Sequence, residues 1–280
     1  MPSFYSMNRR DFVTSTLAAG GTLLAGGTPA AAAQAGSRGS APARPPEFYE
    51  LRRYHLRRGS HTGIVDDYWR LAALPALQRA GVGPVGAFNV MIGADSPSLY
   101  VLLVHPNLDT FVSLPARLAA DAEYQKTGAT YLNAAATDPA FVRINSSLMR
   151  AFEGMPKLEL PFGGGENGKR ARIFELRTYE SHSEKAGKKK IEIFNTAEIA
   201  IFRRAGLQPV FFGETIIGSD LPNLTYMLVY ENMAAHDTQW SAFSADPEWR
   251  RLSTTPGNTD PEIVANISNL YLRPADYSQI

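Results

Sequence analysis

The chain has 280 residues, 44% of them hydrophobic, enough for two modest domains that each bury a core. Its 28 Lys and Arg against 27 Asp and Glu leave a net charge of +1, and nothing in that balance advertises nucleic acid. With no cysteine, disulfides, thiolate metal sites, cysteine-held iron–sulfur clusters and cysteine nucleophiles are all excluded.

In chain order, the first feature is Asn8-Arg9-Arg10-Asp11-Phe12, which resembles a twin-arginine export signal. The Ala/Gly/Leu segment behind it is too glycine-rich and too weakly apolar for a stable span, and Ala31-Ala32-Ala33 suits a peptidase. Residues 1–35 therefore read as a Tat-type signal peptide, with the start at Met1 or Met7 left open. The expected location is periplasmic or extracellular, without stable membrane insertion after cleavage. Residues 36–46 read as a Gly/Ser/Ala/Pro/Arg linker.

The mature chain is written twice. Residues 49–126 align with 174–251 without a gap. Glu50-Leu51-Arg52-x-Tyr54 returns as Glu175-Leu176-Arg177-x-Tyr179, Arg79-Ala80-Gly81 as Arg204-Ala205-Gly206, and Asp121-x-Glu123-Tyr124 as Asp246-x-Glu248-Trp249. A long period that occurs only twice means two domain-sized copies, 47–153 and 171–280, joined by a Gly/Pro-rich linker at 154–170.

Each copy reads as strand, helix, strand, strand, helix, strand. Alternating residues predict strands at 48–56 and 173–180, and apolar residues at helical spacing predict helices at 61–80 and 185–205. Gly81 and Gly206 are placed to end those helices in a left-handed cap. Hairpins follow at 84–92 with 99–105, and at 209–217 with 224–230. Helical regions at 107–126 and 233–252 precede last strands at 145–152 and 267–273, where the alignment offset shifts by three residues. This βαββαβ order is the ferredoxin-like unit, whose helices cover one sheet face and leave the other to be buried.

These residues resemble the NIPSNAP family, through the Tyr/Phe-Glu-Leu-Arg-x-Tyr strand, the Arg-Ala-Gly helix end and the turn Ala245-Asp246-Pro247-Glu248-Trp249. Copy one departs from that turn, with Ala120-Asp121-Ala122-Glu123-Tyr124. The resemblance covers roughly residues 48–274. It implies an α+β fold of two tandem ferredoxin-like repeats packed sheet to sheet as a pseudo-dimeric α+β barrel. It implies no agreed reaction, and relatives of this barrel include monooxygenases and haem-binding or haem-degrading proteins.

Strand parity puts Tyr49 and Leu51, with Phe174 and Leu176, on one face, read here as the core under the helices. Glu50, Arg52 and Tyr54, with Glu175, Arg177 and Tyr179, fall on the other, expected to line a ligand-binding cavity between the sheets together with Tyr226. Asn89 and Glu214 share that register, as do Val101, Leu103 and His105 with their counterparts Tyr226, Leu228 and Tyr230. Residues that differ between copies are the better catalytic candidates: His105, Glu214 and Tyr230. The competing reading makes Glu50–Arg52 and Glu175–Arg177 structural ion pairs.

The five histidines show no metal-ligand spacing, so no metal site is expected, and haem is left open only through His105 or His182. Gly81-Val82-Gly83-Pro84-Val85-Gly86 spells G-x-G-x-x-G but leaves a helix and enters a strand, the reverse of a dinucleotide site. The leading expectation is a small-molecule binder, with catalysis and homo-oligomerisation left open. A non-catalytic interaction module stands behind it, and a barrel-type monooxygenase or haem protein behind that.

Overall fold

The computed structural model of the protein describes residues 45–57, 61–94, 96–161 and 172–280. The expected export signal, nearly all of the first linker and residues 162–171 lie outside the described residues.

The first repeat runs through β1 (Phe48–Leu56), α1 (His61–Asp67), α2 (Leu74–Arg79), β2 (Val85–Ile92), β3 (Ser98–His105), α3 (Leu108–Ala120), α4 (Ala122–Thr127), α5 (Ala129–Leu132) and β4 (Phe141–Ala151). The second runs through β5 (Ile173–Glu180), α6 (Glu184–Ile193), α7 (Ile199–Arg204), β6 (Gln208–Ile217), β7 (Asn223–Tyr230), α8 (Met233–Ala245), α9 (Pro247–Thr254), α10 (Asp260–Ile263) and β8 (Asn266–Pro274). A π turn joins α1 to α2 (Tyr68–Ala73) and α6 to α7 (Phe194–Glu198), so each pair is one continuous helix with a widened middle turn. Gly81 (φ 69°) and Gly206 (φ 86°) end these helices as expected, and the next amide in each closes on a carbonyl one turn back.

The eight strands close into one barrel in the order β1-β3-β2-β8-β5-β7-β6-β4. Each repeat supplies four neighbouring strands. The edges meet where β2 pairs with β8 and β4 with β6, both antiparallel. Closure satisfies every edge that two separate sheets would have left open. In the order of the ring, β1 and β5 stand opposite each other. The registers of β4 on β1 and β8 on β5 give Met149 and Leu272 equivalent places, one residue from the alignment read in the sequence.

The residues that announce the duplication bind each other. Arg79, at the end of α2, reaches Asp121 Oδ2 at 2.7 Å, and Arg204, at the end of α7, forks onto Asp246 at 2.9 and 3.0 Å. Asp121 and Asp246 also cap α4 and α9, accepting from the amides of Tyr124 and Trp249. The repeated motif thus ties the first helix of each repeat to the chain turning over it.

The parity read from β1 and β5 holds, but the side each face looks toward is reversed. Tyr49, Phe174 and Leu176 point into the barrel, where they pack with Phe88, Phe211, Met149, Met227 and Leu272 from both repeats. Tyr54, Ala87, Val101 and Leu103 instead face α1, α2 and α3, while Tyr179, Phe212, Tyr226, Leu228 and Tyr230 face α6, α7 and α8. Glu50, Arg52, Tyr54, Glu175, Arg177 and Tyr179 therefore lie beneath the helices, not between the sheets, and His105, Tyr226 and Tyr230 go with them, while Asn89 and Glu214, on the same face, are exposed and half-buried respectively. Alternation fixes which residues share a face, not which way the face looks. The interior of an eight-stranded barrel is narrow and remote from helix side chains, whereas the sheet–helix layer can supply partners to buried charge.

Candidate functional site

Beneath the second repeat's helices the structure joins the expected residues Glu175, Arg177, Tyr179, Tyr226 and Tyr230 into one network. Arg177 Nη1 donates to Glu175 Oε1 at 2.7 Å and its Nη2 to Tyr179 Oη at 3.1 Å, while Tyr226 bonds Tyr179 at 3.1 Å. Tyr230 donates to Glu175 Oε2 at 2.8 Å. Three residues that sequence reasoning missed complete it: Trp240 Nε1 donates to Glu175 Oε2 at 3.2 Å, Asn269 to Oε1 at 3.3 Å, and His236 Nε2 stands 3.6 Å from Oε2. A carboxylate has about four acceptor positions, and Glu175 receives four donors, so it keeps none for a substrate. Burial pushes the Tyr226 phenol well above its ordinary value, and burial with the Glu175 charge does the same to Tyr230, so both remain protonated donors.

The first repeat keeps the frame and changes the surroundings. Arg52 forks onto Glu50 at 2.6 and 3.0 Å and Ser146 donates to it at 2.9 Å. Burial alone would raise the Glu50 carboxyl, but the adjacent His105 ring, Arg52 and Ser146 outweigh it and hold the pKa at about 2. His105 is fully buried, its Nε2 is 3.7 Å from Glu50, and neither ring nitrogen has a hydrogen-bond partner. Glu214 belongs to neither network and bonds Lys188 on α6 at 2.6 Å. Asn89 and His182 are exposed. Among the described residues, no group of three or more His, Asp or Glu is arranged to hold a metal ion.

A different set of residues surrounds open space. Strand pairing stacks the inward side chains in layers. One layer is apolar: Tyr49, Val104, Met149, Phe174, Val229 and Leu272. Leu51, Leu102, Leu176, Met227 and Leu270 continue it with Ser147. Above them come Arg53, Tyr100, Asn145, Thr178, Thr225 and Ser268, and at the rim His55, Ser98, Arg143, Glu180, Asn223 and Asn266. The barrel therefore grades from a dry floor to a polar mouth, which holds a cavity of about 500 Å³ with walls from both repeats.

Several mouth groups are already oriented. His55 Nε2 is 2.7 Å from Asn145 Oδ1, Thr178 and Thr225 bond through their hydroxyls at 2.9 Å, and Asn266 donates to Glu180 at 2.8 Å. The Arg53 guanidinium lies 5.6 Å from the centre of the Tyr100 ring. Arg143 is exposed on the same cavity wall, as is Asp220, held at φ 59° in the turn between β6 and β7. The expected space between the halves thus exists, lined by the opposite face from the one expected. A signal for it was present: on the Tyr49–Leu51 face both first strands turn polar at their ends, and the copies differ there, Arg53 and His55 against Thr178 and Glu180.

The NIPSNAP family profile matches residues 49–152 and again 174–279. The chain belongs to the NIPSNAP family. Its two family segments coincide with the two halves of the barrel, so this NIPSNAP protein carries in one chain a ring of eight strands. No curated protein sequence matches it. Among solved structures, one called "putative monooxygenase" from Fusobacterium nucleatum is 10% identical with a TM-score of 0.53, over 82% of this chain and 93% of that one. Another of the same description, from Lactobacillus acidophilus, is 9% identical with a TM-score of 0.54, over 82% and 94%. An uncharacterized NIPSNAP-like domain protein from Burkholderia xenovorans is 23% identical over 39% of this chain and 90% of that one, with a TM-score of 0.35. At such identities the two longer matches speak for a shared barrel fold and for nothing about the reaction.

Proposed function

We propose that this NIPSNAP protein binds a small polar molecule in the mouth of its barrel. The observation that carries the reading is the cavity of about 500 Å³, built from inward side chains of both repeats above an apolar floor. Eight strands leave an interior wide enough for side chains or one small ligand, and here the side chains fill only the lower layers. The second repeat's sheet–helix network supports the reading indirectly, since its four donors leave Glu175 no acceptor position for a ligand.

A methyl-resolved NMR screen with polar fragments tests it. Ligands should move the floor resonances of Leu51, Leu176 and Leu270, and Thr225→Trp, which fills the mouth, should abolish those shifts. Fragments that move only surface resonances, or that bind the filled variant equally well, would sink the proposal.

A further inference from the structure

The mouth is one of the places where the two repeats have diverged in charge. His55 and Glu180 hold equivalent places, as do Arg53 and Thr178. The matching registers of β4 on β1 and β8 on β5 make Arg143 the counterpart of Asn266. Because β1 stands opposite β5 and β4 opposite β8 in the closed ring, these exchanges separate charge across the cavity. Its basic side is the β1–β4 wall, with Arg53, His55 and Arg143. Its acidic and hydroxyl side is the wall of β5 and β7, with Glu180, Thr178 and Thr225.

A scaffold that needed only to close would have no reason to break its pseudo-symmetry here. Below the mouth, opposed positions stay alike in character: Tyr49 faces across from Phe174, and Leu51 from Leu176. Arg143 is exposed and Glu180 half-buried on walls of the same space that come from different repeats. Arg143 and Glu180, on walls from different repeats of a partly enclosed cavity, set up a field that favours a molecule carrying the complementary dipole.

We infer that the ligand is a small zwitterion of the amino-acid type, an inference that rests on the mouth being the binding site. Its carboxylate lies toward Arg143 and the His55–Asn145 pair. Its ammonium lies toward Glu180 and the Thr178 and Thr225 hydroxyls, with a short aliphatic body over Leu51, Leu176 and Leu270. Guanidinium recognition of a carboxylate and carboxylate recognition of an ammonium are both charge-assisted hydrogen bonds, the stronger class. The apolar floor removes the body of the ligand from water.

The test uses the full chain and three matched probe series: unbranched amino acids of two to six carbons together with leucine, the same acids without the amine, and the same amines without the acid. Calorimetry measures affinity and the floor methyl resonances locate it. At least one zwitterion is expected to bind once per chain, about tenfold or more tighter than either matched partner. Glu180→Gln should erase the preference over the plain acid, and Arg143→Gln the preference over the plain amine. Neither change removes a core contact, so both variants keep the fold and report on recognition. If the plain acid or amine binds in the mouth as tightly as the zwitterion, the inference is overturned while the mouth remains the site. If no series moves the floor resonances, the mouth reading falls and the inference with it.

Discussion

His55 and Glu180 occupy the same place in the two repeats, on strands that face each other across the barrel, and carry opposite chemical character. The mouth they border owes its asymmetry to such exchanges, while beneath it Tyr49 and Phe174, and Leu51 and Leu176, stay apolar on both sides. Groups that serve recognition at a solvent-facing rim should contribute little to folding. Arg143→Gln is therefore expected to change unfolding free energy by no more than about 0.5 kcal/mol in urea titrations. A loss several times larger would make the basic wall a structural device.

Glu50 behaves in the opposite way, because its charge is built into the fold. Its pKa is held at about 2 against an ordinary value of 4.5, so its contribution is present above pH 4.5 and is lost as pH falls toward 2. The depression corresponds to about 3 kcal/mol at neutral pH. Urea unfolding at pH 6.5 and pH 2.5 should show Glu50→Gln much less stable than the unaltered protein at the higher pH, with the gap narrowed to about a quarter at the lower. A gap that does not narrow would mean that Glu50 acts through shape alone.

Lys190 lies buried in the second repeat, 3.2 Å from Glu198 Oε2 and 3.2 Å from Asp260 Oδ1, ringed by Tyr179, Phe194 and Trp249. Burial would discharge it, but the two carboxylates prevail and keep the ammonium charged. The first repeat solves the same packing problem with Val65 and Ala73, both buried. Glu198→Ala removes one of the two carboxylates on the buried ammonium and leaves it Asp260, so it should cost about 1–3 kcal/mol. Adding Lys190→Val, which installs the first repeat's pair, should recover most of that loss in a thermal or urea melt. A double variant no better than the single one would refute the equivalence.

Asp246 performs two tasks, capping α9 and gripping Arg204. Asp246→Asn keeps an acceptor for the helix amides, whereas Asp246→Ala removes both functions. Circular-dichroism melts should rank the unaltered protein above Asp246→Asn, and Asp246→Ala below both. Equal midpoints for the two variants would show that only the charge matters.

The repeat, the element order and the helix-ending glycines were legible in the sequence because each depends on local pattern: alternation at 48–56, the Arg-Ala-Gly end, and the Asp121 and Asp246 motifs that recur at a fixed offset. The direction of the strand faces was not. β3 and β7 are buried along their whole lengths, so neither face advertises itself, and Glu50-Leu51-Arg52 reads the same whichever way the strand is turned. Trp240 and His236 escaped notice because they join Glu175 only through the packing of α8, whose sequence carries no sign of what lies beneath. The mouth was hidden by the same inversion, although Arg53, His55, Thr178 and Glu180 were already distinguished by their divergence between copies.

The most direct test of the account is a crystal structure of the full chain grown with the zwitterion that binds tightest in the calorimetric series, refined with the mouth left empty until the last cycle. The account predicts difference density spanning the mouth above Leu176, one end against Arg143 and the other against Glu180. Ordered water alone in the mouth, or the amino acid bound only elsewhere on the protein, would contradict it.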